Sequence, residues 1–353
     1  MEHLLNGQTV LVTGHTGFKG SWLTLLLLHY GAKVVGISLP AEKNSLFNAC
    51  NLVDSIDHYE CDIRDFDKVS TIVKQHQPLF VFHLAAQPLV SLSYSNPIET
   101  YQTNVMGTLH VFESIRRYLD ECYIVNVTSD KCYENNGDGN QFTEKDRFGG
   151  SDMYSSSKAC SEILTQSFRN SFLDSNNIHL ASARAGNVIG GGDWSENRII
   201  PDCIQALCSN QSIELKNPTY VRPWQHVIEP VYGYVLLALK LKQSPQLFSG
   251  GWNFGPHLDS CITVEALTKK VIKFWGKGDY QVATEASFKE SSLLRLSIDK
   301  AINKLNWKPA WDIDQTVKET VTWYQVFVND QSSIYDKTIQ QMTQYLDSID
   351  TNI

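Results

Sequence analysis

The sequence has no C-x-x-C pair and no His/Cys ligand cluster. Its eight cysteines are scattered, which points to free thiols in a reducing compartment rather than to disulfides or a structural metal. A long apolar run is missing too. The stretch around Leu23 to Leu28 is far too short to span a membrane and reads as part of an amphipathic helix. The opening Met1-Glu2-His3-Leu4-Leu5 has neither the basic nor the apolar region of a signal peptide. Basic excess is absent: a net charge of −8 argues against non-specific nucleic-acid binding while leaving room for a local basic pocket. No internal repeat or low-complexity linker is visible. With 42% hydrophobic and 19% charged residues, the 353-residue chain has the composition of a globular protein of one large or two closely joined domains. These features together predict a soluble cytoplasmic protein with no metal site.

What is present is an alternation of apolar runs and helix-length segments. Thr9-Val10-Leu11-Val12, Lys33-Val34-Val35-Gly36-Ile37, Leu79 through Leu84, Tyr123 through Val127 and His179 through Ala183 read as buried strands, with a helix from about Lys19 to Tyr30. Continuous apolar strands separated by helices imply an α/β fold, a doubly wound parallel sheet of Rossmann type covered on both faces. Past Asn187 the pattern changes to shorter elements with more Pro and Trp, starting at the turn Gly190-Gly191-Gly192-Asp193. Residues 1–186 are therefore expected to form the dinucleotide-binding domain, with about 227–258 returning to it. Residues 187–353 are expected to form mainly a smaller, mixed substrate-binding lobe. Asp336 to Leu346 has helical apolar spacing, so a terminal helix is expected there.

Gly14-His15-Thr16-Gly17-Phe18-Lys19-Gly20 follows the first strand and opens a helix. Glycines there permit a tight turn and close approach of a pyrophosphate, met by the helix N-terminal amides. Asp62-Ile63-Arg64-Asp65 follows a strand-like segment; Asp62 either accepts from an adenine amine or caps the helix before Phe66. Leu84-Ala85-Ala86-Gln87 ends another strand with small residues that let backbone pass close to a cofactor, or simply pack. Asn104 and Thr128 complete the expected cofactor contacts. One expected sign is absent: the second strand ends Ile37-Ser38-Leu39-Pro40, with no carboxylate for the adenosine ribose and no arginine for a 2′-phosphate. NAD is the expected cofactor, held by Ser38 at the ribose and less tightly than usual.

The chemistry lies in two further segments. Tyr154 and Lys158 are four residues apart, one helical turn, where an ammonium lowers the pKa of a nearby phenol. Such a phenolate takes the proton of a sugar hydroxyl while a hydride leaves the same carbon. Thr128-Ser129-Asp130-Lys131 adds a carboxyl and an amine, which dehydrogenation alone does not need; the plainer alternative is a surface ion pair or a strand-end turn. Arg222 and, second, Arg198 are the cations suited to a diphosphate in the second lobe. Trp224 and His226 read as packed structural residues.

With these residues in place the chain resembles the extended short-chain dehydrogenase/reductases that act on nucleotide sugars. The wording of GHTGFKGSWL, TSDK, GNVIGGGDW, RPWQHVIEP and WNFGP is similar to the CDP-glucose 4,6-dehydratase branch. The resemblance implies C4 oxidation by Tyr154, with Ser129 aligning the oxygen and Lys158 supporting the phenolate and the nicotinamide ribose. It implies loss of water across C5 and C6 with Asp130 as proton donor, then hydride return to C6. Related dTDP-glucose dehydratases carry Glu after the Asp; Lys131 stands there in this chain, as C5 base or as electrostatic support for the enolate. Asn187 resembles an asparagine near substrate phosphates, or is a turn residue. Pairing of helices around 104–118 and 154–172 into a homodimer, and a role in supplying deoxyhexoses for surface polysaccharide, are implied in the same way. A nucleotide-sugar 4-epimerase, a dehydratase of another glucose nucleotide and a non-catalytic NAD-binding regulator are the competing readings.

Overall fold

The computed structural model describes residues 1–137, 139–173, 177–283 and 294–350. Seven parallel strands form the central sheet: β1 (Thr9–Thr13), β2 (Lys33–Ser38), β3 (Asp57–Glu60), β4 (Phe80–His83), β5 (Glu121–Val127), β6 (Asn177–Ala185) and β7 (Gly250–Phe254). They lie in the order β7-β6-β5-β4-β1-β2-β3. The chain reverses direction across the sheet between β1 and β4, and a crevice opens there at the carboxyl ends of the strands. β3 is the strand whose sequence, Asp-His-Tyr-Glu, has no apolar run, because it is the sheet edge.

Numbering the longer helices alone, α1 (Phe18–His29) is buried along most of its length, Trp22 and Leu23 through Leu27 all lying in the core. The apolar run thus serves a helix covered on both sides. α2 (Phe66–His76) begins at Asp65, whose carboxylate accepts from the Lys68 amide, so Asp65 rather than Asp62 caps it. α3 (Thr108–Tyr118) packs against α2, and α4 (Met153–Phe172) is capped by Asp152 through the Ser155 amide at 2.8 Å.

Beyond β6 short paired segments build the other wall of the crevice. Residues 188–189 pair with 225–226, and 221–223 run antiparallel to 261–263. α5 (Ile199–Cys208) and α6 (Ile228–Gln243) follow, and β7 then adds to the sheet beside β6. α7 (Val264–Trp275), α8 (Ile313–Asn329) and α9 (Ile334–Asp350) close the chain; α9 covers the helix expected at 336–346. The loop at 190–194 is pinned from two sides. Trp22 donates to the Gly191 carbonyl at 3.0 Å, and the Tyr324 hydroxyl donates to the Asp193 carbonyl. Of the segment 187–353 assigned to the second lobe, residues 284–293 and 351–353 lie outside the described ones.

Candidate active site

A cleft of about 910 Å³ runs from the β1–α1 junction to the wall formed by residues 187–224. All the residues expected to act in catalysis or binding line it except Asn104. At the nucleotide end Gly14 has a φ of +76°, and a Cβ on it would fall 2.8 Å from the Ala85 nitrogen. A Cβ on Gly20 would fall 2.0 Å from the Gly14 carbonyl oxygen. Both positions are closed to side chains, which brings the loop backbone against the cleft. Gly17 caps α1 with no side-chain hydrogen bond, leaving the helix N-terminal amides for an anion. These residues fit the pyrophosphate of a dinucleotide.

Ser38 and Thr16 are hydrogen-bonded to each other at 2.6 Å at the end of β2, so two hydroxyls stand where a carboxylate is usual. Glu42, four residues further on, lines the same end and was not foreseen. Asp62 is already engaged: its carboxylate accepts from the Arg64 amide at 2.8 Å and from the Arg64 guanidinium at 2.9 and 2.6 Å. Burial raises its pKa, but these bonds outweigh that and hold it below the ordinary carboxylate range. Asn104 sits beneath the cleft. Its side chain accepts from the Gln87 amide at 2.8 Å and donates to the Gln87 carbonyl and the Ser157 hydroxyl, and so holds the turn after β4.

At the catalytic end α4 presents Tyr154 and Lys158 to the tip of β5. Both are buried, with the Lys158 ammonium 5.9 Å from the Tyr154 ring centroid. The expectation that Lys158 depresses the phenol is not met. Burial pushes the Tyr154 phenol up to about 12, opposed by a hydrogen bond with Ser129 and by the charge of Arg198. Burial likewise pulls Lys158 down to about 8. Ser129 donates to the Asp130 carboxylate at 2.9 Å, and burial raises the Asp130 pKa against the pull of Lys131, Ser129 and Lys19. Lys131 is half-buried and lines the cleft beside it. The surface ion pair considered for Asp130 is thereby excluded, since the carboxyl is buried.

Lys19, expected at the cofactor, reaches the same centre. Burial and then Arg198 pull it down to about 8, while Asp130 pulls the other way. Arg198, expected at the diphosphate, is held by Asp193 at 2.9 Å and acts electrostatically on Tyr154. Asp193 is a functional neighbour that motif reading missed; the only signal was its place after the glycine triplet. Arg222 lines the outer wall, its guanidinium 5.3 Å from the Tyr220 ring. Asn187 is half-buried and its carbonyl accepts from the Gln225 amide. Trp224 is buried and donates to the Ile262 carbonyl at 3.3 Å. His226 is fully buried between Trp22 and Trp311, and burial pulls its pKa down to about 3, as befits a packed neutral ring. Among the described residues no His/Cys/Asp/Glu group is arranged to hold a metal ion, and no helix is long and apolar enough to cross a membrane.

A Rossmann sheet, a glycine-lined nucleotide end and a Tyr/Lys pair facing a buried Ser-Asp define a nucleotide-sugar-modifying dehydrogenase/reductase. The profile of the family described as GDP-mannose 4,6 dehydratase matches residues 11–320, and the chain belongs to that family. Among its relatives is the CDP-glucose 4,6-dehydratase of Salmonella typhimurium, 43% identical over 93% of this chain and 93% of that protein. The dTDP-glucose 4,6-dehydratase of Xanthomonas campestris is 26% identical over 90% of this chain and 93% of that one. In fold, the dTDP-glucose 4,6-dehydratase from Bacillus anthracis in complex with NAD matches with a TM-score of 0.76 and 21% identity, covering 90% of this chain and 97% of that one. The UDP-glucose 4-epimerase from Thermotoga maritima with UDP-glucose matches with a TM-score of 0.78 and 21% identity, covering 91% and 100%.

Proposed function

We propose that this protein is an NAD-dependent lyase that converts CDP-glucose to CDP-4-keto-6-deoxyglucose and water. The observation that carries the reading is a buried carboxyl, Asp130, joined through Ser129 to the phenol of Tyr154, with burial raising its pKa. A 4-epimerase has no use for a proton donor at C6, and the identity to the Salmonella relative favours the cytidine nucleotide. Bound in this cleft, NAD would supply the hydride acceptor for C4, the hydride donor for C6 and the positive charge of its nicotinamide ring. The loop of Gly14, Gly17 and Gly20 would hold its pyrophosphate, Thr16 and Ser38 its adenosine ribose, and Asp62 with Ile63 its adenine.

The protein's own groups supply the proton transfers. Tyr154 takes the C4 hydroxyl proton, with Ser129 hydrogen-bonding that oxygen, Arg198 favouring the phenolate and Lys158 holding the nicotinamide ribose. The 4-ketone acidifies C5–H; Lys131 takes that proton while Asp130 gives one to the departing C6 hydroxyl. Arg222 and Asn187 serve the diphosphate. We further read the protein as a cytoplasmic homodimer supplying deoxyhexose precursors for surface polysaccharide. All eight cysteines are free, and apolar Met106, Ile163 and Phe172 stand exposed on the helices expected to pair. The test is incubation with CDP-, dTDP-, GDP- and UDP-glucose plus NAD, scored for 4-keto-6-deoxy product. Product from CDP-glucose is expected; an epimer that keeps its C6 oxygen would overturn the proposal.

A further inference from the structure

Directly beneath the cleft floor lies an ion pair that the reaction as written does not use. Glu162 and Arg184 are both buried, their charged groups 2.8 Å apart in a two-pronged contact. Glu162 stands one helical turn past Lys158, which stands one turn past Tyr154, so the three share one ridge of α4. The Glu162 carboxylate also accepts from the hydroxyls of Thr128 and Ser182, the latter at 2.7 Å. Thr128 is the residue immediately before Ser129 and Asp130. One carboxylate therefore fastens the helix that carries the oxidation pair to the strand end that carries the elimination pair.

The contact extends to the far side of that strand end. Arg184 donates to the Tyr133 hydroxyl at 2.6 Å, and Tyr133 donates to the Asn253 side chain at 2.7 Å. Asn253 in turn donates to the carbonyls of Phe142 and Ser297. Asp130 and Lys131 are thus clamped in sequence between Thr128 and Tyr133, both tied to Arg184 or its partner. We infer that Glu162 and Arg184 are positioning residues, setting the register of Asp130 and Lys131 against Tyr154 so that both halves of the reaction meet on one sugar. The inference rests on the dehydratase reading above.

Such a role makes a claim that fold support does not: loosening the tie should slow elimination more than oxidation, because Tyr154 and Lys158 stay anchored on their helix. Glu162→Gln tests this bluntly and leaves Arg184 without a counter-charge, which threatens folding. Thr128→Val is the sharper probe, removing one hydroxyl from the carboxylate, with Thr128→Ser restoring it. In single-turnover experiments with CDP-glucose, Thr128→Val should accumulate reduced cofactor and release product about tenfold to a hundredfold more slowly. Thr128→Ser, which keeps the hydroxyl on the Glu162 carboxylate, should return the ratio of elimination to oxidation to that of the unaltered protein. Equal slowing of both halves, or wild-type turnover by Thr128→Val, would overturn the inference. Failure of the unaltered protein to form any 4-keto product would instead remove the dehydratase reading, and this inference with it.

Discussion

The floor of the cleft and the layer beneath it each bury a carboxylic acid, and their pKa values move in opposite directions. Asp130 has the Ser129 hydroxyl and the Lys131 amide donating to it, with the Lys131 and Lys19 charges near, and burial still wins: its pKa is raised. Glu162 has four donated bonds, from Thr128, Ser182 and twice from Arg184, and these outweigh its burial to hold it below the ordinary range. Loss of hydration is common to both. What differs is whether fixed donors, one of them charged, replace the lost water. An acid with few donors holds a proton more readily, which suits it to give one away. An acid surrounded by them holds its charge more readily, which suits it to fix other groups in place.

Removing each acid's special feature breaks this comparison in different measurements. Asp130→Asn abolishes the proton donor without leaving a buried charge. Product formation should fall by about 10²–10⁴-fold while C4 oxidation continues and reduced cofactor accumulates. Product at the original rate would show that the proton comes from elsewhere. Arg184→Met does the reverse, stranding the Glu162 carboxylate, and should cost about 3–5 kcal/mol in urea unfolding. The sign with pH follows from a depressed carboxylate. The stabilising share of Glu162 is full above its unfolded value of 4.5 and is lost as pH falls through its lower folded value. The stability gap between the two proteins should therefore narrow in acid, and a gap that widened would place the ionisation on another group.

Sequence reading distinguished these acids only in part. Tyr154, Lys158 and the glycine loop are local patterns, their members within a turn or a single loop, so spacing alone brought them together. The strands flanking them were legible because both faces are buried and the runs are apolar throughout; β3, an edge with charged ends, reads only as a strand-like segment before Asp62. Glu162 was not singled out, because its partner Arg184 comes near only when α4 packs against β6. Arg198 was placed at the diphosphate because a cation in the second lobe suits one; its hold by Asp193 and its nearness to Tyr154 depend on how the 190–194 loop is pinned by Trp22 and Tyr324. The depression of the Tyr154 phenol failed as an expectation because helical spacing says nothing of burial, which is the larger effect here.

A third buried acid falls between the two and refines the rule. Glu229, at the start of α6, accepts from the amides of Ala310 and Trp311 and from the Tyr345 hydroxyl of α9, at 2.8 to 2.9 Å. It has nearly as many donors as Glu162, yet none is charged, and burial lifts its pKa from 4.5 to about 7. A charged donor, more than the number of donors, decides the state. Because its folded value is raised, the stability it lends is full below pH 4.5 and is lost as pH climbs to about 7. That slope should amount to on the order of 1–3 kcal/mol across the interval. Glu229→Gln keeps an oxygen for the two amides and a donor for Tyr345, and has no proton to lose. Its unfolding free energy should run flat where that of the unaltered protein declines. An unchanged slope in the variant would mean that the titrating group is not Glu229, and that neutral donors alone suffice to hold a buried charge in this fold.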